Sequence, residues 1–427
     1  MNFLYTLLYF LALVFFLPKE YFKRPKELRK RWLKEKLGFL EKLDFNSNNK
    51  EYLWIHAVSV GEVMALKELI RALSPQYKIL LSTITDTGRK VALEHFKDLE
   101  VKVIYLPFDL PFCIKRVWKT FNPKALIISE TEIWPNLIRV MSSLIPVILI
   151  NGRLSEKSFK NYKKLKFFIK PILNLFSAIG VQEKLYQHRF QALGVSPEKI
   201  ILTGNIKFDL EIGDISFSWE KYLKQPIIIA GSTHFPEEKI ILKAFLRVFS
   251  NRKQGTLLLV PRHPERFEEV EKMIKNLLSD CSEVSFLKVS EIEKDENFIE
   301  RNRAYKLIIL VDKVGILRYL YRICEIAIIG GSFIPHGGQN PLEAIYWKKT
   351  VIVGPHMENF PFIEEFLKKE AICQTSIEKL VETLEDLVQN ENQRKELAKR
   401  AHQIFKEKGG AIEKTLKIIY QILGLHL

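Results

Sequence analysis

Short apolar runs alternate with amphipathic stretches through most of the chain. Continuous apolar runs fall at 53–58, 78–82, 101–106, 125–129, 147–150 and 178–181, and again at 227–230, 256–260, 307–311, 327–329 and 351–353. Apolar runs this short, without polar alternation, read as strands buried on both faces, the pattern of a parallel sheet. Between them, stretches such as 62–73 and 135–143 repeat their apolar residues at helical spacing. The βαβα rhythm predicts an α/β protein with two doubly wound parallel sheets covered by helices. The two sets are of similar length, and 205–225 between them, weakly periodic and mixed in polarity, reads as a linker. The expectation is a GT-B type architecture: Rossmann-like domains at 51–204 and 226–400 facing a central cleft. Residues 377–425 are almost wholly helical in pattern, and 401–427 is expected to pack back on the first domain. The polar stretch 288–303 reads as a surface loop, and no internal repeat is visible beyond the βα alternation.

The start of the chain follows another rule. Residues 1–17, MNFLYTLLYFLALVFFL, carry no charge. A helix of that length covers roughly 25 Å, slightly less than a hydrocarbon core of ~30 Å, so it either spans with snorkelling flanks or lies partly embedded. It lacks the positive leader and small-residue cleavage site of a signal peptide. Nine basic residues follow between Lys19 and Lys36, against Glu20, Glu27 and Glu35. Positive charge on this flank keeps it in the cytoplasm and suits anionic headgroups. Residues 1–18 therefore read as a membrane anchor and 19–50 as a basic juxtamembrane helix; the plainer alternative is a buried apolar helix followed by a solvated one. Removal of 1–17 is expected to weaken membrane association and leave turnover of a detergent-dispersed acceptor largely intact.

Composition adds three constraints. With 47% hydrophobic and 27% charged residues the chain can bury a core, which excludes a wholly disordered protein. Cys113, Cys281, Cys324 and Cys373 are scattered, with no CxxC pair or adjacent histidine, so a disulfide framework and a structural zinc site are both disfavoured. The balance of 66 basic to 50 acidic residues, net +16, points to an anionic partner: nucleic acid, an anionic membrane or a phosphorylated substrate.

In doubly wound sheets ligands bind beyond the carboxyl ends of the strands, so the chemistry is sought there. After the first run come Ser59-Val60-Gly61-Glu62, where Glu62 opens a helix as either a dipole-matched carboxylate or a reacting group. After the run at 125–129 come Glu130-Thr131-Glu132 before a helix that starts at Pro135; two acids there are less easily read as solubility charges. The second half supplies glycine turns and cations: Gly231-Ser232-Thr233-His234, Pro261-Arg262-His263, Gly330-Gly331-Ser332 and Gly337-Gly338-Gln339-Asn340. Such turns feeding helix N-termini suit a phosphate. None matches the Walker or full GxGxxG pattern, but four in one domain predict a nucleotide site. His56 and His356 read as structural histidines.

The segments SVGE, SETEIWPN, TGNIKFD, PRHPER and GGQNPLEA, in this order and spacing, resemble the 3-deoxy-D-manno-octulosonic acid (Kdo) transferases of lipopolysaccharide assembly. The similarity runs from about residue 53 to 402, and the anchor before it fits the family too. The resemblance implies a GT-B fold, no metal requirement, and inverting transfer of Kdo from CMP-Kdo to a lipid A precursor (lipid IVA). It implies an enzyme anchored in the cell inner membrane, among anionic lipids, with its catalytic domains on the cytoplasmic side. Carried over by position, Glu62 is the general base, and Glu132 and Lys207 stabilise the transition state. CMP-Kdo contacts Pro261, Arg262, the Gly315-Ile316-Leu317 turn, and Asn340, Pro341, Leu342 and Glu343. Arg89, Glu130 and Arg153 are candidates for acceptor phosphates or the sugar carboxylate. Two residues depart from the family pattern: Gln339 stands where a histidine is usual, and Asp86 where a proline is usual. Asp86 is expected to put a negative charge near an anionic ligand.

Two rival readings remain at this level. One is another membrane-associated GT-B glycosyltransferase using a UDP-sugar. The other is a non-catalytic, basic, membrane-tethered binding protein holding phospholipid or nucleic acid. Nucleic acid is disfavoured because strand-end carboxylates repel a phosphate backbone, and Phe22 and Trp32 sit where interfacial anchors belong.

Overall fold

The computed structural model describes residues 2–41, 50–279, 281–295 and 305–425. The chain divides into one unit of Met1–Asp209 with Lys408–Leu427, and a second of Leu210–Glu407. Each is built on a seven-stranded sheet, parallel throughout, so both expected sheets are present.

The first sheet contains β1 (Tyr52–His56), β2 (Lys78–Thr83), β3 (Val101–Tyr105), β4 (Leu126–Ser129), β5 (Val147–Gly152), β6 (Ala178–Val181) and β7 (Ile200–Leu202), in the order β3-β2-β1-β4-β5-β6-β7. Every residue of β1 is buried, and alternate side chains serve opposite faces: Tyr52 and Trp54 one core, Leu53 and Ile55 the other. The helix Ala411–Ile422 closes the second of these cores with Ala411, Ile418 and Ile419. Its start is fixed by the Asp209 carboxylate, which accepts the amides of Gly410 and Ile412. The preceding helix, Glu391–Glu407, belongs to the second unit, so the division falls after Glu407, inside the 401–427 segment read as one element.

The second sheet contains β8 (Ile227–Thr233), β9 (Gly255–Pro261), β10 (Val284–Lys288), β11 (Lys306–Leu310), β12 (Ile326–Ile329), β13 (Thr350–Val353) and β14 (Cys373–Gln374), in the order β10-β11-β9-β8-β12-β13-β14. Its core joins Ile228, Leu257 and Ile328 to Leu242 and Phe245 of the helix Glu237–Val248.

Several expected stretches differ in detail. The division between the units falls inside the 205–225 segment, after Asp209, and the segment is packed on both sides of it: Ile206 is buried in the first unit, Trp219 in the second, and short 3-10 helices cover Ile206–Phe208 and Ser218–Tyr222. The single helix expected at 62–73 is two, Val60–Ala65 and Lys67–Leu73, parted at Leu66. The 288–303 surface loop begins instead as the end of β10 and a short helix, Val289–Ile292, with Val289 and Ile292 buried; 296–303 lie outside the described residues.

At the N-terminus, α1 (Asn2–Lys23) continues through Pro18, five residues beyond the boundary expected at 18, and is long and apolar enough to cross a membrane. α2 (Lys26–Lys36) follows. Its Glu35 is a buried anchor: the carboxylate accepts the Tyr105 amide at 2.9 Å and pairs with Arg31 and Arg89.

Candidate active site

Strand order decides which turns become neighbours. In the first sheet the order reverses between β1 and β4, and the turns leaving those strands are Ser59–Glu62 and Glu130–Trp134. Three carboxylates thereby gather at a topological switch point, where such sheets hold ligands. Ser59 caps the helix Val60–Ala65, and the Glu62 side chain turns back over its start: one oxygen accepts the Val58 amide at 2.9 Å, the other the Ser59 hydroxyl at 3.0 Å. These bonds and the helix start favour the anion. Burial and the charges of Glu130 and Glu132 oppose it and win, pushing Glu62 up to about 7.

The other two carboxylates differ in their partners. Glu130 sits in the left-handed region at φ 57°, its amide donating to Ile150 O at 2.9 Å, and pairs with Lys207 Nζ at 3.2 Å. Glu132 accepts the Trp134 indole N–H at 3.1 Å and is raised by burial and by Glu130. Lys207, in the segment read as a linker, thus meets Glu130 within the first unit, two residues before the division after Asp209. Sequence reasoning missed the residue that sets it there. Asn151, buried at the end of β5, accepts the Ile206 amide through Oδ1 at 3.2 Å, orienting the Ile206–Phe208 turn. Its signal was visible as the first residue after the run at 147–150.

Of the three tentative residues, two join the cluster. Glu130 is central, and the Arg153 amide donates to Thr131 Oγ1 at 3.1 Å, which ties Arg153 to the carboxylate turn. Arg89 goes elsewhere. It is buried, paired with Glu35 at 3.4 Å and stacked over Tyr105, so it fastens α2 to the sheet and is not presented to a ligand. The charge on Asp86 is likewise taken up: it accepts the Tyr105 hydroxyl at 2.6 Å and faces Arg24 at 3.5 Å. His56 is structural, with Nδ1 bound to the Ser82 carbonyl at 3.0 Å and burial holding it neutral at about 4. His356 pairs with Glu358 at 3.3 Å.

In the second sheet the order reverses between β8 and β12, again beside the turns that carry the candidates. Gly330 is indispensable: a side chain there would lie 2.3 Å from Ser232 O. Gly337 and Gly338 hold φ of 89° and 78°, backbone that glycine adopts freely. Beneath these turns is a group the sequence did not single out. The fully buried Glu237 accepts the amides of His234 (2.9 Å), Gly331 (2.6 Å) and Phe333 (3.0 Å), pinning the ends of β8 and β12 together. Gln339, the usual histidine's replacement, has Nε2 3.1 Å from His234 Nε2.

The three expected donor segments converge on Glu343. Arg318, next after the Gly315-Ile316-Leu317 turn, pairs with it at 3.4 Å, and Arg262, just past Pro261 at the end of β9, also draws it down. Burial outweighs both and raises its carboxyl. Asn340 Oδ1 accepts the Leu342 amide at 3.1 Å just ahead of the helix Leu342–Tyr346, and Pro341 and Leu342 are buried under that turn. Arg262 is exposed, its amide held by Thr233 O at 2.9 Å, which leaves the guanidinium available to an anion. Arg318 was missed because its partner lies 25 residues away.

A parallel α/β unit with strand-end carboxylates, joined in one chain to another with glycine turns over arginines, defines a protein of GT-B-like fold. Relatives make the assignment narrower. A family model described as 3-deoxy-D-manno-octulosonic-acid transferase (kdotransferase) matches residues 31–210. The 3-deoxy-D-manno-octulosonic acid transferase of Haemophilus influenzae is 35% identical over 382 residues, covering 86% of each chain. A bifunctional glycosyltransferase/methyltransferase of Fusobacterium nucleatum is 34% identical over 87% of this chain, which spans 58% of that relative's length. Among solved structures, the UDP-GlcNAc 2-epimerase of Neisseria meningitidis (15% identity, TM-score 0.57, 87% of this chain and 100% of that one) shares the fold. So does a glycosyltransferase of Rickettsia africae (15%, TM-score 0.53, 88% and 99%). The protein belongs to the 3-deoxy-D-manno-octulosonic acid transferase family.

Proposed function

We infer that the protein transfers Kdo from CMP-Kdo to a lipid A precursor, lipid IVA, with inversion, as a membrane-associated enzyme on the cytoplasmic face of the inner membrane. The observation that carries this reading is Glu62, a half-buried carboxyl beside two others, pushed up to about 7. CMP-Kdo already holds its leaving group, so transfer needs a deprotonated acceptor hydroxyl and a neutralised phosphate. The acceptor oxygen bonds to the anomeric carbon, that carbon's bond to the phosphate oxygen breaks, and the hydroxyl proton goes to Glu62. A base with a pKa near the working pH serves best. Arg262 meets the charge growing on the departing CMP, with Arg318 and the turns at Gly315 and Asn340 beside it. Lys207, held by Glu130, and Glu132 set the charge around the base. Arg153 is the cation offered to acceptor phosphate or sugar carboxylate.

The reading requires no metal, since arginines do the work a cation would do at the phosphate. Adding a chelator should leave the rate unchanged, and a collapse restored by a divalent ion would overturn that part. Incubation with lipid IVA and CMP-Kdo, followed by mass analysis, should show acceptor enlarged by whole Kdo residues and free CMP. Consumption of UDP-sugars with CMP-Kdo untouched would transfer the protein to another GT-B activity.

A further inference from the structure

By length and composition α1 qualifies to cross a bilayer, yet it is docked lengthwise on the first unit. Tyr5, Tyr9, Leu13, Leu17 and Tyr21, spaced by four, are its half-buried face, and the last four pack on Trp32, Tyr105, Phe108, Leu110 and Cys113. Polar bonds pin the N-terminal turns: Tyr5 Oη donates to the buried Asp109 carboxylate at 2.8 Å, the Asp109 amide to Tyr9 Oη at 3.2 Å, and Thr6 Oγ1 to Asn136 at 3.1 Å. The body is thus held along a helix of about 33 Å from its first turn to its last. Threading that helix through a membrane would drag the turns at Asp109 and Asn136 into hydrocarbon, where irregular backbone is not tolerated.

The opposite face is bare. Phe3, Leu7, Phe10, Leu11, Val14 and Phe15 are exposed, Phe15 by 77%. Beside Tyr5, at a ring distance of 6.0 Å, lies Phe168, whose neighbour Phe167 is 83% exposed. The surrounding helices Glu156–Lys164 and Lys166–Leu173 carry six exposed lysines against one acid. We propose that α1 does not span: it lies in the plane of one anionic leaflet, its outer face and Phe167 immersed together, with these lysines on the headgroups. This deepens the membrane association in the proposed function and rests on it.

Depth measurement tests the geometry. Nitroxides placed one at a time at Phe3, Leu7, Leu11, Phe15 and Phe167 of the full chain, in phosphatidylglycerol-rich vesicles, should all sit at one shallow depth of roughly 5–10 Å. A depth that rises to the bilayer centre and falls again along α1, or a Phe167 label left in water, overturns the proposal. Protection that appears without lipid and grows with protein concentration gives the face to a second copy and also overturns it. The combined change Lys163→Gln, Lys164→Gln and Lys166→Gln should weaken partitioning into these vesicles on the order of a hundredfold, with no effect on zwitterionic ones; an unchanged affinity counts against it. Kdo transfer in detergent, assayed on the same proteins, reports on the transferase reading alone.

Discussion

At the residue scale, Glu62 shows two roles competing for one carboxylate. Its hydrogen bonds across the helix start are the plain structural role of a glutamate early in a helix, and it makes them. What makes it a base is the company it keeps, and Glu62→Gln separates the two roles. The amide retains most of the hydrogen bonding but takes no proton, so turnover should fall by about 10²–10⁴-fold while CMP binding persists. The acidic limb of the pH–rate profile should vanish in Glu62→Gln and survive in Glu132→Gln; an intact limb in Glu62→Gln would shift the assignment to Glu130 or Glu132. Stability should move the other way. Between pH 4.5 and about 7 the folded protein keeps a proton that the unfolded chain releases, so wild-type stability falls as pH rises through that window. The Gln variant escapes that loss. It should unfold later than wild type at pH 8, by up to about 3 kcal/mol, and the two should converge below pH 4.5. On the donor side, Arg262→Ala should remove a charge-assisted contact worth about 2–4 kcal/mol in the transition state, read as lost kcat/KM for CMP-Kdo. Unchanged kinetics would take Arg262 out of the donor site.

At the element scale, the strands that sequence reading missed share one physical cause. β7, β10 and β14 are edges of their sheets, and in β10 four of five residues are only half-buried. These edges have one neighbour and partial cover and show no continuous apolar run, whereas the edge β3, buried at four of five positions, and β1, β4, β8 and β12 at the switch points announce themselves. Turns that follow central strands were therefore locatable, and Glu62, Glu130, Glu132 and Arg262 with them. Arg89 misled because a helical arginine near a strand end looks the same whether it meets a ligand or Glu35, 54 residues away. Glu237 escaped notice for the converse reason: beside Glu238 at a helix start it passes for a dipole charge. Replacing Glu237 by Ala strands three buried amides and should cost about 3–5 kcal/mol. Calorimetry should show the second unit melting earlier with the first unaffected, and the KM for CMP-Kdo should rise. Loss of stability with an unaltered KM would mean the clamp serves folding only.

At the scale of the whole molecule, α1 belongs to the first unit's structure, and this changes what its removal does. Asp109 Oδ1 accepts the Leu137 amide at 2.7 Å and Oδ2 the Asn136 amide at 3.1 Å, both in the first turn of the helix that follows Trp134. Trp134 in turn holds Glu132, so a chain of contacts runs from Tyr5 to the carboxylate cluster. A simple tether would leave catalysis intact when cut. Here, deleting residues 2–23 bares the Trp32–Phe108 cluster and takes a partner from Asp109. The first unit's transition should drop by at least about 5 °C, by the usual 2–4 °C per kcal/mol for a unit of this size. The second unit's should stay where it is, because its core shares no residue with that cluster. Turnover of detergent-dispersed acceptor should also fall, by about tenfold or more, since small misplacements of reacting groups are expensive. Tyr5→Phe separates the positioning effect from gross damage: it removes one hydroxyl from Asp109, keeps the packing, and should lower kcat in the same direction with little change in the KM for CMP-Kdo. Full activity in both variants would reduce α1 to a membrane attachment with no hold on the site.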